Sequence, residues 1–402
     1  MAKSIKTALV LAGGDGDRFY PLENKVCYRF NGKTVLQHIV KSISDFAEEV
    51  IVVTNPKNDS VIRTDLSSYS VRFISQTKED GGMADAVLAA EKLLNGDVIV
   101  FNGNDLIDFS FIPSLVAQTK SEDTLLGFAA KRMDTYTPSG YVRFTEDKAV
   151  EIVEKPLPQD VPSEYVRLVV DYFPKIELFV QALHALPSTD DQYEQGMSAL
   201  MRQKPATCHK YEGDWTTLKY SWHVLSMQNY LFTHGLEKHI DSTASVHPSS
   251  IIEGVVSIGK NVKIGAFVKI SGPCFIGDNV LIGDHSLIRN STVNDNSTVG
   301  SGCEVARSYL GEGVMLHRNY VGDSVLGTQT SMGAGAVTAN YRFDKKTIKT
   351  PVKEKMIDSG KDKFGLIAGK QVKIGVNSST YPGVKLSPGT CILPGEVVTK
   401  DK

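Results

Sequence analysis

The hydrophobic pattern changes character part-way along the chain. Up to about residue 220, short apolar runs alternate with stretches of helical spacing. Thr7-Ala-Leu-Val-Leu11, Val50-Ile-Val-Val53 and Val98-Ile-Val-Phe101 are continuous apolar runs, as strands buried on both faces of a parallel sheet require. Val35, Ile39, Ile43 and Phe46 recur at helical spacing after the first run, and residues 84–94 predict a helix before the third. The alternation predicts a Rossmann-like α/β domain over residues 1–220, whose ligands lie at the carboxyl ends of the strands. Trp222, Leu225 and Leu231 then mark a connecting helix within residues 221–238.

Beyond it the period becomes six. Ile258, Ile264, Ile270, Ile276, Ile282 and Ile288 recur at every sixth position, and Gly259, Gly265, Gly277 and Gly283 follow four of them. Val293, Val299 and Val305 continue the series after a slip of one residue. Hexapeptide repetition predicts a parallel β-helix over residues 239–402, each coil three short strands with one aliphatic side chain per strand stacked inside the prism. An antiparallel sandwich would not hold that period over so many turns. Residues 255–394 have room for about eight to ten coils, interrupted by a polar, lysine-rich loop near residues 344–363.

Composition narrows the classes. A net charge of −2 excludes a nucleic acid or an anionic membrane as the main partner. The five cysteines include no Cys-x-x-Cys pair, so neither a zinc site nor a disulfide framework is expected. The amino-terminal residues lead into a short strand rather than a signal-length apolar stretch, and no run approaches membrane-spanning length. A cytoplasmic protein is expected.

The candidate chemistry opens at the first strand. Leu11-Ala-Gly-Gly-Asp-Gly-Asp-Arg-Phe-Tyr-Pro-Leu22, with Lys25 beyond, places a glycine-rich turn between strand and helix, where backbone N–H groups converge on a phosphate. Gly13, Gly14 and Gly16 permit close approach by a ligand, and Arg18 and Lys25 add fixed positive charge. A P-loop is excluded because no Gly-x4-Gly-Lys-Ser/Thr run is present. A dinucleotide fingerprint is excluded because Phe19 stands where its third glycine belongs. Asp105, at the end of the third strand, suits a turn residue or helix cap, and beside a phosphate-binding loop it is also a candidate ligand for a divalent ion.

From Leu11 through Pro21 to Lys25 the chain resembles the signature of the sugar-1-phosphate nucleotidylyltransferases. The resemblance implies that Leu11, Ala12, Gly13, Gly14, Gly16, Gln76, Gly81, Gly82 and Gly103 bind the nucleotide. It further implies that Arg18 and Lys25 hold the triphosphate of UTP or dTTP and that Asp105 holds Mg2+. Gly140 and Glu154, the latter in Val153-Glu-Lys-Pro156, would contact the sugar 1-phosphate (GlcNAc-1-P or Glc-1-P). Two departures stand out. Leu168-Val-Val-Asp-Tyr172 replaces the family's sugar-contacting Asn-x-Gly, and Trp215-Thr-Thr-Leu-Lys219 puts Thr217 where a second metal-binding aspartate is usual. Asp171 and Asp214 are candidates to supply the missing charge.

The second half resembles the acetyltransferase part of the bifunctional enzymes that make UDP-N-acetylglucosamine, in their compact archaeal-type form. Met315-Leu-His-Arg-Asn-Tyr-Val-Gly-Asp323 and Gly333-Ala-Gly-Ala-Val-Thr-Ala-Asn-Tyr341 carry the likeness. It implies a left-handed β-helix, a homotrimer, His317 as the general base on an amino sugar 1-phosphate, and Tyr320 at the sugar. Ala334, Asn340 and Tyr341 would seat acetyl-CoA, the co-substrate, and Lys345 or Lys346 could meet phosphate. Histidine suits deprotonation of an attacking amine near neutral pH. Ala306 replaces a lysine that meets the sugar phosphate, with Arg307 or Arg289 as possible substitutes. The alternatives are a single-activity enzyme with one degenerate domain, or a non-catalytic regulatory or trimeric scaffold protein.

Overall fold

The computed structural model describes residues 3–14, 16–78 and 81–402. The chain forms two compact units, and they do not follow chain order: Met1–Asp15 with Thr34–Trp215 make the first, Gly16–Lys33 with Thr216–Lys402 the second.

The first unit is built on one mixed sheet. Four parallel strands, Val98–Asn102, Ile5–Leu11, Ala47–Thr54 and Arg72–Ser75, lie side by side in that order. Their registers bring Leu11 level with both Val53 and Asn102, so the carboxyl ends of the three central strands coincide. The sheet then departs from the all-parallel expectation, because Tyr165–Phe173 joins Val98–Asn102 antiparallel and leads on to Gly140–Thr145 and Lys148–Glu154. An apolar run specifies burial, not strand direction, so the reversal left no mark on the pattern. Helix Val35–Ile43 starts at a capping box between Thr34 and Gln37 and buries Val35, Leu36, Ile39, Val40 and Ile43. Phe46 falls beyond it, in the turn back to the sheet, where its carbonyl accepts from Ser4 and Ile5. The helix expected over 84–94 runs from Met83 to Ala90 and tightens into a 3-10 turn at Glu91–Leu93.

In the second unit, helix His223–His234 precedes a left-handed parallel β-helix of three eight-stranded sheets. Ile258, Ile276 and Val293 stack in one sheet, Ile264, Ile282 and Val299 in the next, and Ile270, Ile288 and Val305 in the third. All nine side chains are buried. At one row of corners the backbone takes positive φ, and Asn261, Asn279 and Asn296 supply it at φ 55, 58 and 60°. Asparagine tolerates this region better than most residues. Its amide also reaches the next coil: Asn261 donates to Asn279 at 3.1 Å, Asn279 to Asn296 at 3.2 Å, and Asn296 to Glu312 at 3.1 Å. The one-residue slip is absorbed at a corner, since Phe275 stands level with Thr292 while both stay in the same sheet. The interruption after Tyr341 is not a plain loop. It folds as an antiparallel hairpin, Lys349–Val352 against Lys355–Asp358.

Candidate active sites

At the carboxyl ends of the parallel strands, the first unit gathers several of the residues singled out from sequence. The Gly103 N–H donates to the Leu11 carbonyl at 2.9 Å, tying the turn after Val98–Asn102 to the start of the glycine-rich loop. Gly13 and Gly81 bracket the buried Gln76 carboxamide. A Cβ at Gly13 would lie 2.8 Å from Gln76 Oε1, and one at Gly81 would lie 2.9 Å from its Nε2. Gln76 Nε2 donates to the carbonyls of Lys78 and Gly81, while Oε1 is buried without a hydrogen-bond partner. An amide oxygen left in that state is an acceptor in want of a donor. Gly82 caps helix Met83–Ala90, and Asp85 returns to its N–H at 3.2 Å.

Sequence reasoning missed the residues that hold this loop from behind. Asn55 Nδ2 donates to the Gly13 carbonyl at 2.5 Å, and Asn58 Nδ2 to the Ala12 carbonyl at 2.9 Å. Their signal was two asparagines within four residues of the end of the strand Ala47–Thr54. Gly14 is exposed. Gly16, Arg18 and Lys25 belong to the second unit. Gly16 has φ 79° and opens a 3-10 turn, Asp17–Phe19, that presents an exposed Arg18. Lys25 begins a second such turn, Lys25–Cys27.

Asp105 begins the strand Asp105–Ile107 and lines a small cleft with Asn102, Leu168, Val170 and Trp215. The described residues contain no cluster of three or more His, Cys, Asp or Glu placed to hold a metal. A single carboxylate nevertheless fits magnesium, which is commonly held by one or two carboxylates together with substrate phosphates. Asp171 is not part of such a set. It is fully buried, accepts from Arg167 Nη1 at 2.5 Å and from the Tyr193 hydroxyl at 3.0 Å, and faces helix Gln192–Gln203. Asp214 is exposed. In the second unit, the Thr217 carbonyl pairs with His223 Nδ1 at 2.9 Å.

Gly140 and Glu154, the candidates for the sugar, converge on a charged group that the sequence did not announce. A Cβ at Gly140 would lie 3.0 Å from Glu154 Oε2 and 4.0 Å from Arg167 Nε. Arg167 is buried, bridges Asp171 and Glu194 (2.7 Å to the latter), and sits over the Tyr193 ring at 5.1 Å. Burial pushes the Asp171 carboxyl up to about 6 against the lowering pull of Arg167, and it raises Glu194 too. Arg167 stays cationic because two carboxylates flank it.

In the β-helix, Tyr320, Asp323 and Asn340 form one hydrogen-bonded group. Asn340 Nδ2 donates to Asp323 Oδ2 at 2.5 Å and to the Tyr320 hydroxyl at 3.2 Å. Gly322 makes the approach possible, since a Cβ there would stand 2.6 Å from both Asn340 Nδ2 and the Tyr320 hydroxyl. Arg307 grips Asp323 through Nε and Nη2, each at 2.7 Å, whereas Arg289 pairs with Glu304. Ala306 is buried between Arg289 and Gly322 in the same sheet. A lysine that the motifs did not indicate lies nearby. Lys361 is half-buried, its ammonium held below the ordinary lysine value by burial and pulled the other way by Asp323. His317 lies exposed at the corner before Tyr320, its N–H held by Asn319 Oδ1 at 2.8 Å. Ala334 and Tyr341 are exposed as well.

Residues 7–218 match the nucleotidyl transferase family, more than half of the chain. The chain belongs to that family. Residues 237–357 match the GMPPB C-terminal domain. Among relatives, the bifunctional protein GlmU of Methanococcus maripaludis is 32% identical, covering 96% of this chain and 92% of that protein. The bifunctional sugar-1-phosphate nucleotidylyltransferase/acetyltransferase of Sulfurisphaera tokodaii is 26% identical over 98% of this chain and 97% of its own. Among solved structures, a UDP-glucose pyrophosphorylase complexed with UDP-glucose shares the fold at TM-score 0.50 and 17% identity, covering 57% of this chain and 99% of that one. A putative glucose-1-phosphate thymidylyltransferase from Bacillus anthracis does so at TM-score 0.50 and 18% identity, covering 56% and 94%. The family expected from the glycine-rich loop is thus the family to which the chain belongs. No helix among the described residues is long and apolar enough to cross a membrane.

Proposed function

We propose that this chain is a cytoplasmic, bifunctional enzyme of nucleotide-sugar synthesis. In the first reaction, a phosphate oxygen of a sugar 1-phosphate attacks the α-phosphorus of UTP or dTTP and pyrophosphate leaves. The observation that carries this reading is the grouping of Gly13, Gln76 and Gly81. The bare backbone on both sides makes room for the Gln76 carboxamide, and its unfilled Oε1 is the acceptor we assign to the imide N–H that uracil and thymine share. Leu11, Ala12 and Gly103 hold the loop's entry, and Gly14, Gly16 and Gly82 offer backbone to the nucleotide. Arg18 and Lys25 neutralise the triphosphate, so their work is positioning and charge compensation. Asp105 would hold magnesium, which when bound supplies further charge neutralisation to the phosphates. Gly140 and Glu154 receive the sugar. Its test is pyrophosphate release from UTP and dTTP across a panel of sugar 1-phosphates, in magnesium and in chelator. Silence across the panel would refute it.

In the second reaction, His317 takes the proton as an amino sugar 1-phosphate attacks the thioester of acetyl-CoA. Tyr320 orients the sugar, while Ala334, Asn340 and Tyr341 seat the acyl donor. With Ala306 unable to meet phosphate and both arginines ion-paired, Lys361 is the cation we assign to it, alongside Lys345 or Lys346. Free thiol appearing from acetyl-CoA only when an amino sugar 1-phosphate is present would support this half. A homotrimer of β-helices is the assembly we propose for it.

A further inference from the structure

The segment Gly16–Lys33 carries both cations assigned to the triphosphate, yet it is part of the β-helix unit. It has little regular structure of its own: two 3-10 turns, the short strand Arg29–Phe30 and, at its end, the start of the strand Lys33–Thr34. Within it Phe19, beside Arg18, packs edge-on against Tyr28 at 5.4 Å, but internal contacts are few and ordering the segment costs conformational entropy. Its posture is therefore set by what it rests on.

Those supports are several, and they come from distant coils. Tyr309 is buried, its hydroxyl donates to the Arg29 carbonyl at 2.7 Å, and its ring packs on Tyr28 and Phe30 at 5.0 and 5.4 Å. Lys370 pairs with Glu23 at 2.8 Å, and the Tyr20 hydroxyl donates to Ser387 Oγ at 2.6 Å. At the tip of the inserted hairpin, Lys353 meets Asp17, the neighbour of Arg18, at 2.9 Å. Asn31 Nδ2 donates to the Leu231 carbonyl of the connecting helix at 3.2 Å.

We infer that Tyr309, Lys353 and Lys370, all beyond the nucleotidyl transferase match, are positioning residues for nucleotidyl transfer because they hold the segment bearing Arg18 and Lys25. This rests on the reading that those two cations hold the triphosphate. A shift of about 1 Å in a positioned group is enough to cost catalysis heavily. A surface ion pair alone contributes little, but a buried aromatic contact backed by several polar ones fixes a geometry.

The test uses full-length protein carrying Tyr309→Phe, Lys353→Glu, Lys370→Glu, or Glu23→Lys with Lys370→Glu. KM for the nucleotide and kcat for pyrophosphate release are measured beside acetyl transfer on the same preparations. Each single variant is expected to raise the nucleotide KM about three- to tenfold with acetyl transfer unchanged. The reciprocal swap is expected to restore it to within about twofold of the starting protein. Single variants that all stay within about twofold, or a swap that restores nothing, would overturn the inference. Arg18→Ala separates the two levels. If it abolishes pyrophosphate release while the anchor variants are silent, only the inference falls. If it too is silent, the reading of the loop falls with it.

Discussion

At the scale of single residues, the first site depends on how closely backbone can approach one amide. Gly13→Ala puts a methyl group 2.8 Å from Gln76 Oε1, so the carboxamide must turn away. The expected outcome is a nucleotide KM raised about tenfold with the melting temperature little changed; an unchanged KM would remove Gln76 from base recognition. His317→Ala is expected to lower acetyl transfer by about a hundredfold or more, the usual scale for a lost general base, while pyrophosphate release stays as it was. If both activities fall together, His317 is serving the fold. The glycines and cations could be singled out as candidates from sequence because each answers a local demand: phosphate needs bare backbone and positive charge. Asn55 and Asn58 were not, because their task, holding the carbonyls of Gly13 and Ala12, exists only once two strands lie side by side.

At the scale of elements, the strand Tyr165–Phe173 and the helix Gln192–Gln203 are joined by a buried arginine between two carboxylates. Asp171, ordinarily near 3.8 and here about 6, takes up a proton on folding across that window. The native state then binds more protons than the unfolded one, so this group's contribution to stability declines as pH rises from about 4 to 6 and is level above. Asp171→Asn should flatten the dependence of melting temperature on pH, leaving the part due to Glu194, which burial also raises. An identical slope in the variant would show that Asp171 does not titrate there. In the β-helix, Gly322→Ala is expected to push Tyr320 and Asn340 apart and reduce acetyl transfer about tenfold or more with pyrophosphate release intact; full activity in that variant would show the group to be dispensable. The hexapeptide period announced the coils, since one inward side chain per strand is enough to write it. The hairpin Lys349–Val352 with Lys355–Asp358 escaped notice because its exposed residues carry no apolar alternation.

At the scale of the whole molecule, sequence showed two textures and two chemistries in the right order, because each fold writes its own period. It did not show that a short early segment is lodged in the later unit. Grouping of that kind is decided by contacts such as Tyr309 with Arg29, 280 residues apart, and no local pattern encodes them. The proposed homotrimer predicts about three times the 43.9 kDa chain mass by light scattering. A monomer at micromolar concentration would refute the proposed trimer.

The lodging of Gly16–Lys33 bears on anyone who treats this protein as separable parts. A chimera made by cutting at the apparent junction near residue 220 and grafting on a foreign carboxyl-terminal half would keep every residue of the glycine-rich loop and still strip that loop of its seat. For exchange of parts to succeed, the eighteen-residue stretch would have to be redesigned along with the graft, or the donor would have to bring equivalents of Tyr309, Lys353 and Lys370.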